Sequence, residues 1–319
     1  MDKTNNSEVK IMNTKNKYKI LIAFICISSI FATDIDYTGG YAGSFLRMGL
    51  SARNQAMGNS GVALSNSSAD FYYNPGLIVM KSGKSLTTGY SFLSLDRKFN
   101  FLSLNWPLPP TAAININWIH AGVNNIQGRN YSGYQTKKYE TSEDAIMLTF
   151  GNKLSEKFAI GFSLKYLRHS LLEVNGSGVG IDLGVVYQIL PNLMAGLQIK
   201  DINSSYYWKT TKIFHEEGNN YKEKFPTVTK FGCAFGIYDF IFVTDIVNFE
   251  GDNYFHGGME YNYQEIGSLR VGYGHSRLTF GCGLKYDFMC NTKTELDYAF
   301  VQEKYGEGHS HVFTWNFKI

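Results

Sequence analysis

From about residue 85 onward the chain is a train of short segments that alternate large apolar with small or polar residues, and the last runs into residue 319. Phe158, Ile160, Phe162, Leu164 and Tyr166 are interleaved with Ala159, Gly161, Ser163 and Lys165. Ile181, Leu183, Val185, Tyr187 and Ile189 are interleaved with Gly180, Asp182, Gly184 and Gln188. A strand sends successive side chains to opposite faces, so each segment has one greasy face and one polar or empty face. A soluble sandwich also alternates. The number of segments, their length, their aromatic load and what precedes them together point to an all-β fold, a 14-stranded antiparallel transmembrane barrel.

Fourteen strands are expected at 86–95, 97–106, 112–121, 142–152, 157–169, 177–189, 193–201, 228–237, 239–248, 254–263, 267–275, 277–287, 293–302 and 309–319. Most are near the ten or so residues with which a tilted strand crosses a bilayer. Connection lengths sort by strand parity. The longest, 122–141 and 202–227, follow odd strands, whereas turns after even strands are as short as Pro191-Asn192 and Tyr238-Asp239. Outer-membrane barrels have short periplasmic turns and longer outer loops, and a sandwich has no reason for this sorting. Trp106, Trp118, Tyr273, Tyr286 and Trp315 suit the aromatic girdles. The opposite, lumen-facing parity carries Lys165, Asp182, Lys200, Lys230, Glu260, Arg270, Lys285 and Asp297, together with Asn115, Asn117 and Gln198. The lipid-facing parity is expected to be free of charge, since each charge there costs roughly 2–4 kcal/mol at mid-depth.

The sole long apolar run, Ile20 to Ala32, is short for a spanning helix and follows Lys15, Lys17 and Lys19. Residues 1–32 therefore read as a signal peptide, with Met12 a candidate true start and cleavage after Ala32. Cys26 lies inside the run without a lipoprotein-like context. Residues 33–83 are rich in Gly, Ala, Ser and Asn, and residues 84–319 form the barrel. A barrel of this size encloses more space than its own side chains fill, since about eight strands suffice for a filled interior. Gly58, Ser60, Gly61 and Ala63 suit a segment packed within it, and Gly161, Gly184, Gly196, Gly258, Gly272 and Gly281 would make room on the inner face. A loose periplasmic tail is the alternative for residues 33–83.

Catalytic constellations are not apparent. There is no nucleophile-elbow Ser and no His-Glu-x-x-His. Gly176-Ser177-Gly178 with Gly180 has no helix after it and reads as a hairpin turn rather than a phosphate loop. His309 and His311 alternate without a third ligand and read as rim residues, and His215-Glu216-Glu217 as solvated loop. Cys233 and Cys282 fall on the apolar parity as small hydrophobes, and the odd set of mature cysteines (with Cys290) fits no metal spacing. The net charge of +3 is mixed and carries no basic stripe, against a nucleic-acid partner. The expected protein is not an enzyme and uses no cofactor or metal.

Two stretches resemble a known family. The first is Gly43-Ser44-Phe45-Leu46-Arg47-Met48-Gly49-Leu50-Ser51-Ala52-Arg53, continued by Ala56-Met57-Gly58-Asn59-Ser60-Gly61-Val62-Ala63 and by Asn74-Pro75-Gly76-Leu77. It resembles the opening of the PorV/PorQ outer-membrane proteins, which are similar in turn to FadL-type transporters. The second, Leu296 to Phe300 with His309 to Ile319, looks like the family's last two strands. Here Asn-Pro-Gly stands for the family's Asn-Pro-Ala, Asn66-Ser67 for an acidic pair, and Ile319 for a commoner Phe. The resemblance implies an N-terminal hatch bearing the motif residues Phe45, Leu46, Arg47, Met48, Gly49, Arg53, Met57, Gly58, Asn74, Pro75 and Gly76. It also implies a bacterial outer-membrane location, with membrane lipid and the barrel-assembly machinery, through the last strand, as partners. The function it implies is export or surface delivery of cargo beside a type IX secretion translocon. The alternative is a FadL-like channel for hydrophobic small molecules.

Overall fold

The computed structural model describes residues 40–172, 174–210, 219–264, 266–288, 292–302 and 308–318. The expected leader, His215-Glu216-Glu217, Cys290 and Ile319 lie outside them. Fourteen antiparallel strands close on themselves: β1 (Ser85–Phe92), β2 (Arg97–Leu108), β3 (Ala112–Arg129), β4 (Gln135–Ser155), β5 (Phe158–Leu171), β6 (Val174–Leu190), β7 (Leu193–Ile202), β10 (Val228–Ile237), β11 (Phe240–Phe249), β12 (Asp252–Tyr263), β13 (Gly267–Gly274), β14 (Arg277–Phe288), β15 (Thr292–Gln302) and β16 (His309–Lys318). Neighbours in sequence are neighbours in the sheet, and β16 pairs β1 from Ser85↔Lys318 to Phe92↔His311. Closure leaves no unpaired edge in hydrocarbon, the condition for a sheet to span a membrane.

The alternation sorts the faces as the hydropathy demands. On β5 the odd-one-out parity of Ile160, Phe162, Leu164 and Tyr166 points outward, with Ala159, Gly161, Ser163 and Lys165 buried inside. Cys282 shares the outer face with Phe280 and Leu284, and Cys233 shares the parity of the exposed Phe231.

Four expectations need correction. Residues 122–141 are not a loose loop. β3 and β4 run on as a two-stranded ribbon past their neighbours, closing through a turn at 130–134. Inside 202–227 lies a further hairpin, β8 (Ser205–Lys209) and β9 (Asn220–Lys224), whose first strand pairs with β6. Gly176, Gly178 and Gly180 are not a turn. They occupy the inner face of β6, where a Cβ would strike Trp208, the Ser205 carbonyl and the Ser204 hydroxyl respectively. Finally, the outer face does carry charge. His120, Asp144 and Arg168 share the parity of Trp118, Ile146 and Tyr166, but sit at the long-loop end beyond the apolar rows.

Candidate functional site

The N-terminal segment crosses the barrel interior. It consists of two 3-10 turns, Ser44–Arg47 and Pro75–Met80, and two single-turn helices, α1 (Ala52–Ala56) and α2 (Asp70–Tyr73). Tyr41 meets Phe249 near the long-loop end (rings 5.1 Å apart), and the chain leaves the interior into β1 at the short-turn end. Most of its side chains are fully buried.

Glycines set how closely it approaches the wall. A Cβ at Gly161 or Gly184 would collide with Pro75, one at Gly196 with the Val62 carbonyl, and one at Gly272 or Gly274 with Gly58. At Gly258 it would lie 2.5 Å from the Met57 backbone, and at Gly281 2.5 Å from Ala56 Cβ. Gly58 has φ 72°, the left-handed region, with the Tyr273 carbonyl against it, so two separate constraints exclude a side chain there.

Asn74 couples the turn to the wall. Its Oδ1 accepts from Gly76 N–H at 3.0 Å, capping Pro75–Met80, while Nδ2 donates to Val62 O at 2.8 Å and Val185 O at 3.0 Å. Pro75 stands at the first helical position, where its missing N–H costs nothing. Gly49 N–H donates to Tyr72 Oη at 3.2 Å. Arg47 donates to the carbonyls of Ala42 (3.0 Å) and Tyr41 (3.1 Å) and lies over the Phe249 ring. Phe45 and Leu46 are buried in an apolar cluster, with Met48 packed on its edge.

The lumen-facing charges form two groups. In the first, Arg53 makes a two-pronged pair with Glu260 (2.7 and 2.8 Å), Glu260 also accepts from Arg270 at 2.6 Å, and Arg270 donates to Asp297 at 2.6 Å. In the second, Lys165 pairs with Asp182 at 2.6 Å and with Asp201. Lys200 donates to Leu46 O at 3.0 Å and lies 3.5 Å above the Tyr72 ring. Lys230 lies over Tyr73. Lys285, opposite Glu295 on β15, is exposed and joins neither group.

Several contributors escaped the reading of the sequence. Asp245 accepts from Gly61 N–H (2.6 Å) and Val62 N–H (3.1 Å), Thr279 from Gly58 N–H (3.0 Å) and Thr314 from Ala52 N–H (2.9 Å). Asp245 is the lone acid on the inner parity of β11, in a strand apolar on both faces, and that isolation was its only signal. Also missed were the apolar inner residues Phe99, Phe101, Ile119, Met147 and Leu167. They face Phe45, Leu50, Phe71 and Ile78 on the β2–β5 side. Direct polar ties thus run from the segment to β6, β7, β11, β12, β14 and β16, while its contacts toward β2–β5 are mainly apolar, apart from the Pro75 backbone against Gly161 and the charge of Glu143 near Arg47. Tyr206 and Phe225, ring to ring at 4.9 Å, extend that apolar seam to the β8–β9 hairpin. His311 bonds the Tyr298 hydroxyl at 2.8 Å and His309 packs on Phe300.

No protein-family model and no curated protein matches the sequence. Solved structures do match. CymD, a monoaromatic hydrocarbon channel, is 16% identical, with 84% of this chain and 96% of that one covered and a TM-score of 0.57. The toluene transporter TodX of P. putida is 13% identical, with 84% and 96% covered and a TM-score of 0.58. A FadL homologue of Pseudomonas aeruginosa is 9% identical, with 84% and 97% covered and a TM-score of 0.58. At such identities the likeness is one of fold, and it defines the class: a membrane-spanning, closed fourteen-stranded barrel of FadL-like fold.

Proposed function

We propose that the protein is an outer-membrane channel for hydrophobic small molecules, with residues 33–83 as a hatch that moves rather than a fixed filling. The long-loop end faces the cell surface. The observation that carries this reading is the two-sidedness of the interior. Toward β10–β16 the hatch is held by buried charge, and pulling Arg53 from Glu260 would strand an unpaired ion at several kcal/mol. Toward β2–β5 it rests mainly on non-directional apolar contacts of Phe45, Leu50, Phe71 and Ile78, which part and re-form around an apolar guest at little polar cost. The seam between hatch and β2–β5 is therefore the conduit, and the β11–β16 side is the hinge. That structures of the same fold include monoaromatic hydrocarbon channels supports the substrate class.

The test is uptake of an apolar fluorescent probe by liposomes containing the folded protein. Wild type should exceed empty liposomes, and Ile119→Asn with Met147→Asn should remove most of the excess. Equal uptake by wild type and empty liposomes would sink the channel reading. Export of cargo is supported only by the resemblance of the opening segment to PorV/PorQ. A surface protein co-purifying stoichiometrically with the barrel would favour it.

A further inference from the structure

One row of the outer face gathers charge. Strand register aligns His120, Asp144, Arg168, Ser177, Tyr207 and Lys222 across β3, β4, β5, β6, β8 and β9. Directly below, toward mid-membrane, lies the apolar row Trp118, Ile146, Tyr166 and Val179, with Tyr166 51% and Val179 65% exposed. Directly above, Ser170 and Asn175 align with Lys209. The boundary between hydrocarbon and headgroup on this side of the barrel therefore falls at Arg168.

The row's one acid is already engaged. Asp144 Oδ1 accepts from Trp118 Nε1 at 2.9 Å and meets His120 Nδ1 at 2.8 Å. Arg168, Lys209 and Lys222 are exposed, so the sector presents a cationic surplus beside hydroxyl and amide donors. Elsewhere at the long-loop end the outer face is different. Phe92, His311 and Phe300 form an aromatic row across β1, β16 and β15. Among the described residues, Lys98 of β2 stands alone beside Phe92, whereas Arg168, Lys209 and Lys222 cluster in the sector where the β8–β9 hairpin raises the wall, above an exposed apolar strip that reaches Ile181 and Leu164.

We propose that this sector is a lipid site. It seats a phosphate-bearing lipid of the surface-facing leaflet, with acyl chains along Leu164, Tyr166, Val179 and Ile181 and phosphate between Arg168, Lys209 and Lys222. An arginine fork matches phosphate oxygens in two-pronged geometry, and each juxtamembrane cation strengthens attraction to an anionic headgroup. The inference goes beyond the channel reading and stands whether or not the hatch moves, because it needs only the fold and its place in a bilayer.

Native mass spectrometry of the full-length protein in a neutral detergent, with diphosphorylated lipid A and its dephosphorylated form as competing probes, tests it. Wild type should prefer the phosphorylated lipid. Each Lys or Arg near the surface is worth about a fivefold gain, so removing all three by Arg168→Gln, Lys209→Gln and Lys222→Gln should erase a preference of about a hundredfold. The charge-conserving set Arg168→Lys, Lys209→Arg and Lys222→Arg should keep most of it. Lys137→Gln with Lys138→Gln, which removes charge from the β3–β4 ribbon instead, should change nothing. Heat-modifiable migration on a gel reports folding of each variant, and Arg168→Gln alone serves if the triple change does not fold. A wild type indifferent to phosphate, a preference that survives the Gln set, or an equal loss in the ribbon variant would each overturn the proposal.

Discussion

Arg53 and Asp70 show how single buried groups set the grip of the N-terminal segment. Arg53 is the segment's charged contact with the Glu260–Arg270–Asp297 network. Arg53→Met should cost about 3–5 kcal/mol, because it leaves Glu260 with one cation fewer in a buried site, whereas Arg53→Met with Glu260→Met should recover much of the loss. Urea unfolding in lipid vesicles checks both. Asp70 behaves differently. Burial holds its carboxyl up at about 7 from an ordinary 3.8, despite Lys81 and the Ser67 N–H acting to lower it. The docked segment thus binds a proton that the released segment gives up. Docking is strongest below pH 4 and weakens as pH rises from 4 to 7. Hydrogen exchange of the amides in 51–78 should be slower at pH 5 than at pH 8 after correction for intrinsic rates, and Asp70→Asn should flatten that difference. A wild-type profile already flat would count against it.

At the scale of elements, strand parity fixes which turns share an end. Tyr134 in the β3–β4 turn and Asn219 beside β9 stand at one end, and Asn192 between β6 and β7 at the other. Cysteines placed at Tyr134 and Asn219 should react with an impermeant reagent on intact cells, and one at Asn192 should not. Labelling of Asn192 alone would invert the orientation. The two faces of a strand make a second test. Phe162, Leu183 and Leu284 are outward and 40%, 44% and 59% exposed. Arg at any of them should lower stability in lipid by roughly 2–4 kcal/mol, with less effect in detergent, where a charge reaches water.

For the whole molecule, the wall and its filling are separable. The backbone ladder of β1–β7 and β10–β16 closes without residues 43–78. Deleting those residues should leave a folded barrel with larger single-channel conductance in planar bilayers, because the removed segment occupies the lumen and the ladder still satisfies its own hydrogen bonds. Unchanged conductance would mean the lumen is closed by something other than this segment. Gly58→Trp should act in the same direction more weakly, forcing the segment off Tyr273 and Gly272 at a cost of about 1–3 kcal/mol.

The strands, their number and their outward faces were legible in residues 85–319, because period-2 alternation is a local property and hydrocarbon punishes any exception on the outer face. The inner glycines were legible for a related reason: a missing side chain on the polar parity has few explanations in a wide barrel. What was not legible lies where alternation stops carrying information. Phe99, Phe101, Ile119 and Met147 are apolar on the parity expected to be polar, and they are inside because Phe71, Phe45 and Ile78 come from a distant part of the chain to cover them. Gly176, Gly178 and Gly180 carry a turn-like composition, and they became a strand because Trp208 and Ser204 fold back over them. Asp144 and Arg168 depart from the charge-free outer face expected, and register places them beyond the apolar rows at the long-loop end. Local pattern determined the wall. Which inner residues meet the segment, which charges pair across it and which side is left apolar were decided by contacts between residues up to 262 positions apart, as between Ala52 and Thr314, and no local pattern encodes these.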